Sequence, residues 1–236
     1  MSEADKSDNS QKVVLEADEE LRVQVNDNEL SIELLKGHAE IFGYELHREK
    51  PTKFNKGSIF SIFTFHGCSL KLQGDNYSME KSDKNPIIMY LQVHAGLEKM
   101  RQNADKNEEE RGPITLVVGP TDSGKSTLCQ LLANYAVRMG RRPVFVDLDV
   151  GQSSISIPGT IGATLVESQI GLNSGFDSCA PLVFNFGHKA PAFNLSLFND
   201  LVTKLSDVVK GQVKANRKAE TSGKCVIILQ HVKSCI

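Results

Sequence analysis

A glycine-rich octapeptide at residues 119–126 is the strongest constraint on what this chain can fold into, because it satisfies the pattern G-x-x-x-x-G-K-[ST]. An apolar, β-branched run at residues 114–118 precedes it. Apolar residues follow it at helical spacing until Gly140: Leu128, Leu131, Leu132, Tyr135 and Met139. A buried strand, a glycine loop and a helix are the setting in which this motif holds nucleotide phosphates. The alternative, a glycine-rich turn without a nucleotide, would need the full motif to arise by chance in that setting.

The residue types within the motif indicate a phosphate-binding loop. Glycines let backbone N–H groups close around phosphate oxygens, and the N-terminus of the helix adds partial positive charge. Lys125 is placed to reach the outer phosphates of ATP, and Ser126 to hold Mg²⁺. The GTPase motif N-K-x-D does not follow a late strand, which favours an adenine nucleotide.

The pattern of apolar and polar residues changes near residue 86, which predicts two domains. We expect a disordered polar tail at residues 1–11 and a small antiparallel β-sandwich at residues 12–85, with residues 20–25 and 30–34 paired as a hairpin. We expect residues 86–111 to form a connecting helix and a charged, solvated linker. Residues 112–236 alternate strand and helix, which predicts an α/β domain with a mostly parallel sheet, and this domain looks incomplete because the chain stops on a buried strand.

A second informative segment, residues 144–152, reads as a buried strand that ends in carboxylates. The carboxyl ends of parallel strands face the ligand crevice. Asp149, at the end of the strand, is therefore a candidate for the Mg²⁺ shell or for the base that accepts a hydroxyl proton, whereas Asp147 reads more readily as a buried, hydrogen-bonded acid. Gln152 either orients a nucleophile or caps the loop. Residues 153–162 read as a loop of small residues that either lines an anionic substrate or is an ordinary connection.

Composition narrows the class of protein. A formal net charge of -2 argues against nucleic-acid binding by bulk electrostatics. Five scattered cysteines with no C-x-x-C pair suggest neither a disulfide framework nor a zinc site. No apolar run is long enough to span a membrane, and the polar start resembles neither a signal peptide nor an anchor, so we expect an intracellular protein without a membrane partner.

Three motifs together resemble the eukaryotic polyribonucleotide 5′-hydroxyl kinase family, at residues 119–127, 147–152 and 157–162. Segments 20–22, 39–43 and 65–69 match the β-domain of that family, so the likeness extends from Lys12 to about Val226. The resemblance implies a β-sandwich, a central ATP-binding domain and a third, carboxy-terminal domain. It also implies ATP and Mg²⁺ as cofactors and RNA with a 5′-hydroxyl end as substrate. The implied setting is nuclear, with subunits of the pre-mRNA cleavage factor and of the tRNA-splicing endonuclease as partners.

The resemblance also assigns site residues. It implies that Glu20 contacts the nucleotide and that the phosphates and metal are held around the glycine loop, with Lys125 and Asp149 as catalytic residues and with Ser126 and Asp149 at the metal. The implied ATP-binding residues are Glu20, Gly119, Asp122, Ser123, Gly124, Lys125, Ser126 and Thr127. One position departs from the family pattern, because Ile59 stands where the family has a basic nucleotide contact and Lys56 is the nearest cation.

The end of the chain departs further from the family pattern. Residues 229–236 stand where the family has a Thr-x-Gly-Trp segment that clasps RNA, before an arginine-bearing lid. Base stacking contributes about 1–3 kcal/mol and a transition-state arginine about 10³–10⁵ in rate. We therefore expect weak ATP binding and impaired RNA phosphorylation by this chain. Three functions remain open: an RNA 5′-hydroxyl kinase by family, an ATP-bound scaffold with little or no kinase activity, and a general P-loop ATPase in which Gln152 orients water. The missing family segment favours the scaffold for this shortened chain.

Overall fold

A computed structural model describes residues 9–82, 86–120, 123–177 and 180–229, with the backbone alone at residues 228 and 229. The chain divides into two compact units, Met1–Ile88 and Met89–Ile236.

Two antiparallel sheets make up the first unit. One has the strand order β1-β8-β3-β6 and the other the order β5-β4-β7-β2-β9. The strands are β1 (Ser10–Leu15), β2 (Glu20–Asp27), β3 (Glu29–Gly37), β4 (Glu40–Ile41), β5 (Tyr44–Glu45), β6 (Thr52–Asn55), β7 (Ile59–Phe63), β8 (Cys68–Gln73) and β9 (Asn76–Ser82). The predicted antiparallel β-sandwich is confirmed.

The core of this unit follows from alternation along the strands. In β2, Leu21, Val23 and Val25 are buried while the residues between them are exposed, and β3 buries Leu30, Ile32 and Leu34. One face of each strand is therefore apolar and inward, which is what two packed sheets require.

The predicted hairpin between the second and third strands is wrong. β2 pairs with β7 and β9, whereas β3 pairs with β6 and β8, so the two strands lie in different sheets. Asn28, with φ 51°, joins them in the left-handed region. Period-two alternation fixes which face of a strand is buried, but it is equally compatible with a partner beside the strand and with one across the core.

The second unit contains the remaining elements. They are α1 (Ile87–Lys106, which begins at the end of the first unit), β10 (Ile114–Gly119), α2 (Lys125–Arg138), β11 (Val144–Asp147), β12 (Thr160–Leu165), β13 (Leu182–Asn185), a short 3₁₀ helix (Pro191–Phe193), α3 (Leu195–Lys214), α4 (Arg217–Ser222) and β14 (Lys224–Leu229). The sheet order is β10-β14-β11-β12-β13, and the predicted α/β P-loop domain is confirmed.

The sheet is mixed where we expected it to be mostly parallel. β10, β14 and β11 run parallel, but β12 is antiparallel to β11 and β13 is antiparallel to β12. A parallel return needs a long crossover, usually a helix. Residues 148–159 contain no helix, so the chain turns directly back. The end of the segment that we interpreted as a small-residue loop is thus the start of β12.

Helices cover the two faces of this sheet. Phe145 and Ile227 pack with Cys129 of α2, while Val144 and Val146 pack with residues of α3 on the opposite side. Successive residues of β11 therefore point to opposite helices, which explains why this strand is buried throughout.

Residues of the expected charged linker are tied into the second unit. Glu98, Arg101 and Ala104 of α1 are buried. The Arg101 Nε donates to the carbonyl of Ser222 at 2.9 Å, and Arg217 donates to the carbonyl of Asn107 at 2.8 Å. The charges that suggested a solvated segment are in part structural hydrogen-bonding groups.

Candidate functional site

The glycine loop joins the carboxyl end of β10 to the N-terminus of α2. Gly119 ends the strand, and a Cβ added to it would lie 2.7 Å from the Oγ of Ser123, so a side chain there would displace that hydroxyl. Gly124 adopts φ 81° immediately before α2, a conformation that favours glycine. The Ser123 Oγ donates to the carbonyl of Pro120 at 2.8 Å. Asp122, a predicted phosphate contact, lies outside the described residues.

Lys125 places a buried ammonium at this loop. Lys125 is the first residue of α2 and is 8% exposed. Its Nζ donates to the carbonyl of Pro120 at 2.6 Å. An ammonium has three donors, and a buried charge is costly without an ionic or strongly polar partner. Phosphate oxygens would supply such a partner. Ser126 and Thr127 follow in the first turn of α2 and are exposed, which leaves their hydroxyls accessible.

Asp147 and Asp149 play different parts at the end of β11. Asp147 is 1% exposed, and both its oxygens accept backbone hydrogen bonds, from Asp149 N at 2.9 Å and from Ser154 N at 2.6 Å. Asp149 is 8% exposed and uses only Oδ1, which accepts from Gly151 N at 2.8 Å and Gln152 N at 3.0 Å. Among the described residues, no hydrogen bond involves Asp149 Oδ2. Asp147 thus uses both carboxylate oxygens to hold the loop, whereas Asp149 uses only Oδ1 within the described part of the chain.

Burial raises the pKa of Asp147 above its usual range, and the backbone hydrogen bonds from Ser154 and Asp149 oppose that shift. The nearby Asp149 carboxyl also raises the pKa of Asp147. Two carboxyls this close make a second ionisation harder.

The strand register brings the glycine loop and Asp149 to one edge of the sheet. β14 lies between β10 and β11, and its Ile227 pairs with Val117 on one side and Asp147 on the other. Gly119 is two residues after Val117, and Asp149 is two residues after Asp147, so both lie beyond the same set of paired residues. Neighbouring strands are about 4.8 Å apart, so the two positions are separated by roughly 10 Å across the sheet. That gap is of the size that the outer phosphates and a reacting group would occupy.

The loop after β13, which we did not predict as part of the site, reaches the same edge. The Gly159 N–H donates to the Val150 carbonyl at 2.7 Å, and the Gly159 carbonyl accepts from Gly187 N at 3.0 Å. The next residue, His188, stacks its ring on Phe193 with centroids 4.2 Å apart and planes 6° apart. In the sequence, the stacked pair is marked only by two ring-bearing residues on either side of a proline, in the segment after a predicted strand.

Glu20 belongs to the first unit, whereas the other predicted site residues belong to the second. It is buried at the start of β2, opposite Phe63 of β7 and Ser82 of β9. Lys56, the cation nearest the departing position Ile59, has Nζ 3.1 Å from Asp27 Oδ1, so its charge is already paired. The contact of Glu20 with a nucleotide stays a prediction.

The described residues contain no group of three or more His, Cys, Asp or Glu side chains arranged to hold a metal ion. Nor do they include a helix whose length and hydropathy would suit a membrane span. Any Mg²⁺ at this edge would therefore depend on few protein ligands and on phosphate oxygens, which is how Mg²⁺ commonly binds with nucleotides.

Comparison with known proteins identifies the family. Residues 119–228 match the model of the mRNA cleavage and polyadenylation factor CLP1 P-loop, and residues 14–104 match the N-terminal beta-sandwich domain of polyadenylation factor. The chain belongs to the Clp1 family. The family resemblance seen in the sequence is thereby confirmed, and with it a phosphate-binding loop of a nucleotide-using, mRNA-processing family.

Relatives cover nearly all of this chain. A Clp1 homolog of Nematostella vectensis is 52% identical over 225 residues, which are 94% of this chain and 52% of the relative. The human polyribonucleotide 5′-hydroxyl-kinase Clp1 is 49% identical over 217 residues, or 92% of this chain and 51% of the relative. The chain spans about half the length of the curated relatives it matches.

Solved structures share the fold. The chain in a wild-type Clp1p-Pcf11p complex has a TM-score of 0.79 at 23% identity, over 94% of this chain and 54% of that chain. A second, from work on an extended Pcf11p–Clp1p interface and ATP loss in a Gly135Arg mutant, has a TM-score of 0.82 at 21% identity, over 94% of this chain and 56% of that chain.

Proposed function

We propose that this chain is an ATP-dependent RNA 5′-hydroxyl kinase family protein that acts in the nucleus, in mRNA 3′-end cleavage and polyadenylation and in tRNA splicing. The observation that carries the proposal is the convergence of the buried Lys125 ammonium and the Asp149 carboxylate at one edge of the sheet. A cation for phosphates and a base for a hydroxyl are the two groups that phosphoryl transfer to an alcohol requires.

In this proposal Lys125 neutralises charge on the outer phosphates, and Gly119 and Gly124 keep the loop close to them. The Oδ2 of Asp149 accepts the proton of the RNA 5′-hydroxyl as its oxygen attacks the γ-phosphorus. The bond from that phosphorus to the β,γ-bridging oxygen breaks, and ADP leaves. Backbone donors from Gly151 and Gln152 hold the Asp149 carboxylate in place.

The exposed hydroxyl of Ser126 and the carboxylate of Asp149 fit a Mg²⁺ ion because both supply the oxygen ligands that it prefers. Bound there with ATP, Mg²⁺ would neutralise phosphate charge. Asp122, Ser123 and Thr127 complete the proposed phosphate site, and Glu20 is the proposed contact from the β-sandwich.

A second function, an ATP-bound scaffold, is favoured by one observation: both solved relatives are described with Pcf11p. In that case the chain would bind ATP without turnover and would hold subunits of the cleavage factor or of the tRNA-splicing endonuclease. RNA would then not be a substrate.

One assay with labelled ATP and a 5′-hydroxyl RNA separates the possibilities. Transfer of label to RNA identifies a kinase, ATP binding without turnover a scaffold, and phosphate release without RNA an ATPase. The rate measured with this chain also tests the expected impairment.

Asp149→Asn tests the mechanism within the same assay. It removes the base but keeps the shape of the side chain, so we expect transfer to fall by about 10²–10⁴-fold while ATP binding persists. Asp207→Asn is a matched control on the exposed surface of α3 and should leave the rate unchanged. Full transfer by Asp149→Asn would exclude Asp149 as the base.

A further inference from the structure

The loop at residues 186–194 carries an aromatic pair for which the phosphoryl-transfer chemistry has no use. Phe193 is 72% exposed, yet one face of its ring stacks on the imidazole of His188 at 4.2 Å. A single exposed apolar side chain is ordinary on a protein surface, so what distinguishes this position is the parallel stack with His188 and not the exposure alone. The outer face of the Phe193 ring is accessible to a ligand.

The loop is held in one conformation by its own hydrogen bonds. His188 Nδ1 accepts from Ala190 N at 3.1 Å, and Phe193 N donates to the Ala190 carbonyl at 3.2 Å. Pro191, which lies between His188 and Phe193 in the sequence, is buried. Phe186, at the start of the loop, packs edge-on against Phe198 of α3 with ring centroids 5.6 Å apart. A preorganised surface loses little conformational entropy on binding.

The place of this loop relates it to the reacting group. Hydrogen bonds run from the Val150 carbonyl to Gly159 and from Gly159 to Gly187, so the loop start is two strand spacings, roughly 10 Å, from the residue after Asp149. The same chain of contacts fixes the aromatic pair on the side of Asp149 away from the glycine loop. ATP would enter from the glycine loop, and the substrate would lie on this other side.

The chemistry of the loop suits a nucleotide. Because His188 Nδ1 accepts a hydrogen bond, the neutral imidazole carries its proton on Nε2 and offers a donor there. Lys189 is exposed beside it, and neither residues 150–160 nor residues 186–199 contain an acid that would repel phosphate. A flat ring face beside a cation matches a base and its phosphate, and base stacking is how proteins hold single-stranded RNA.

We infer that Phe193, backed by His188 and flanked by Lys189, is a stacking platform for an RNA base close to the 5′-hydroxyl end. This inference rests on the proposed RNA substrate. The platform holds the strand so that its 5′ end reaches Asp149, and Lys189 contacts a phosphate of the same strand.

The test measures binding of a dye-labelled 5′-hydroxyl RNA of about ten nucleotides to the chain by fluorescence anisotropy at fixed salt. Phe193→Ala should weaken binding by about 5- to 100-fold, while Phe193→Trp should retain it. Ile114→Ala is the matched control, because Ile114 is equally exposed but begins β10 at the opposite edge of the sheet. Lys189→Gln should lower the slope of log affinity against log salt by about one.

Abasic RNAs locate the stacked base. With the wild-type chain, an abasic site at one position among the first few nucleotides should weaken binding as much as Phe193→Ala does, and the variant should lose nothing further at that position. Unchanged binding by Phe193→Ala, equal losses at every abasic position, or no RNA binding by the wild-type chain would each overturn the inference. Failure of the kinase proposal would be seen separately, as the absence of label transfer from ATP to a 5′-hydroxyl RNA that the chain still binds.

Discussion

The two units of this chain differ most in where they keep charge. The first unit is organised around an apolar interior between two sheets, and among its described residues the buried charged ones are Glu20 and Glu40. The described part of the second unit buries five charged residues: Glu98, Arg101, Lys125, Asp147 and Asp149. Burying charge lowers the free energy of unfolding unless each group has a partner. The second unit therefore contains buried charged side chains that a purely structural domain would not need.

Those buried charges fall into two classes. Glu98 and Arg101 belong to a network in which Arg141 binds Glu98 at 2.5 Å and Asp105 at 2.5 Å, so their charges are compensated within the protein. Lys125 and Asp149 differ, because among the described residues the Lys125 ammonium donates only to the Pro120 carbonyl and no hydrogen bond involves Asp149 Oδ2. Buried charges with incomplete sets of protein partners are candidates for a ligand site.

The largest effect should come from the apolar interior of the first unit. Leu70→Ala removes a side chain that is 0% exposed between the sheets, and we expect the free energy of unfolding of that unit to fall by about 2–5 kcal/mol. Denaturant melts of the two units measure it. Val14→Ala, at a position that is 55% exposed, is the control and should change little. A loss of ATP binding by Leu70→Ala would show that the units are not independent.

The next effect concerns the compensated charges. Arg141→Ala leaves Glu98 buried with a weaker partner, and we expect the free energy of unfolding of the second unit to fall by about 3 kcal/mol, because removing one member of a buried pair costs most. Arg142→Ala, which breaks the more exposed pair with Glu167, should cost at most about 1 kcal/mol. Equal losses in the two variants would contradict the distinction between them.

Lys125→Ala tests the charges kept for a ligand. At ATP and Mg²⁺ concentrations of about 100 times the dissociation constant, the wild-type second unit should gain about 2.7 kcal/mol, and the variant should gain none. Thermal melts with and without ATP measure the difference. Lys204→Ala, on the exposed surface of α3, should keep the full gain. An ATP-dependent shift that survives in Lys125→Ala would remove the nucleotide from this loop.

The sequence was most informative where function and local structure depend on adjacent residues. The strand, glycine loop and helix around Lys125 could be predicted because the motif and its flanking periods are contiguous. The β-sandwich could be predicted as a class, but the partners of β2 and β3 could not, because alternation reports a buried face and not a neighbour. The antiparallel turn from β11 into β12 was missed because residues 153–162 have the small, polar composition of a loop.

Within the site, the same limit applies. Asp149 was preferred over Asp147 from its place at the strand end, and the hydrogen bonds fit that order, although its role stays a prediction. The aromatic pair of His188 and Phe193 could not be predicted, because a stacked contact across a proline turn depends on the exact backbone path and leaves no periodic trace.

The smallest expected effect is a pH dependence confined to the second unit, at His94 of α1. Its ring packs on that of Tyr135 with centroids 5.4 Å apart, and its Nδ1 is buried without a hydrogen-bond partner among the described residues. Burial lowers the pKa of His94 below its usual value, and the positive charges of Arg101 and Arg138 lower it further, against a smaller opposing effect of Glu98.

The sign of this pH dependence follows from linkage. Since the unfolded chain protonates His94 at about pH 6.5 and the folded unit does so only at lower pH, the unfolded state binds more protons in between. The stabilisation from neutral His94 is thus complete above about pH 6.5 and is lost as pH falls toward the folded pKa. His94→Gln should flatten the decline of melting temperature of the second unit between about pH 7 and pH 5, with the first unit in the same melts as the control. Identical pH profiles for the wild-type chain and His94→Gln would show that His94 ionises alike in the folded and unfolded states.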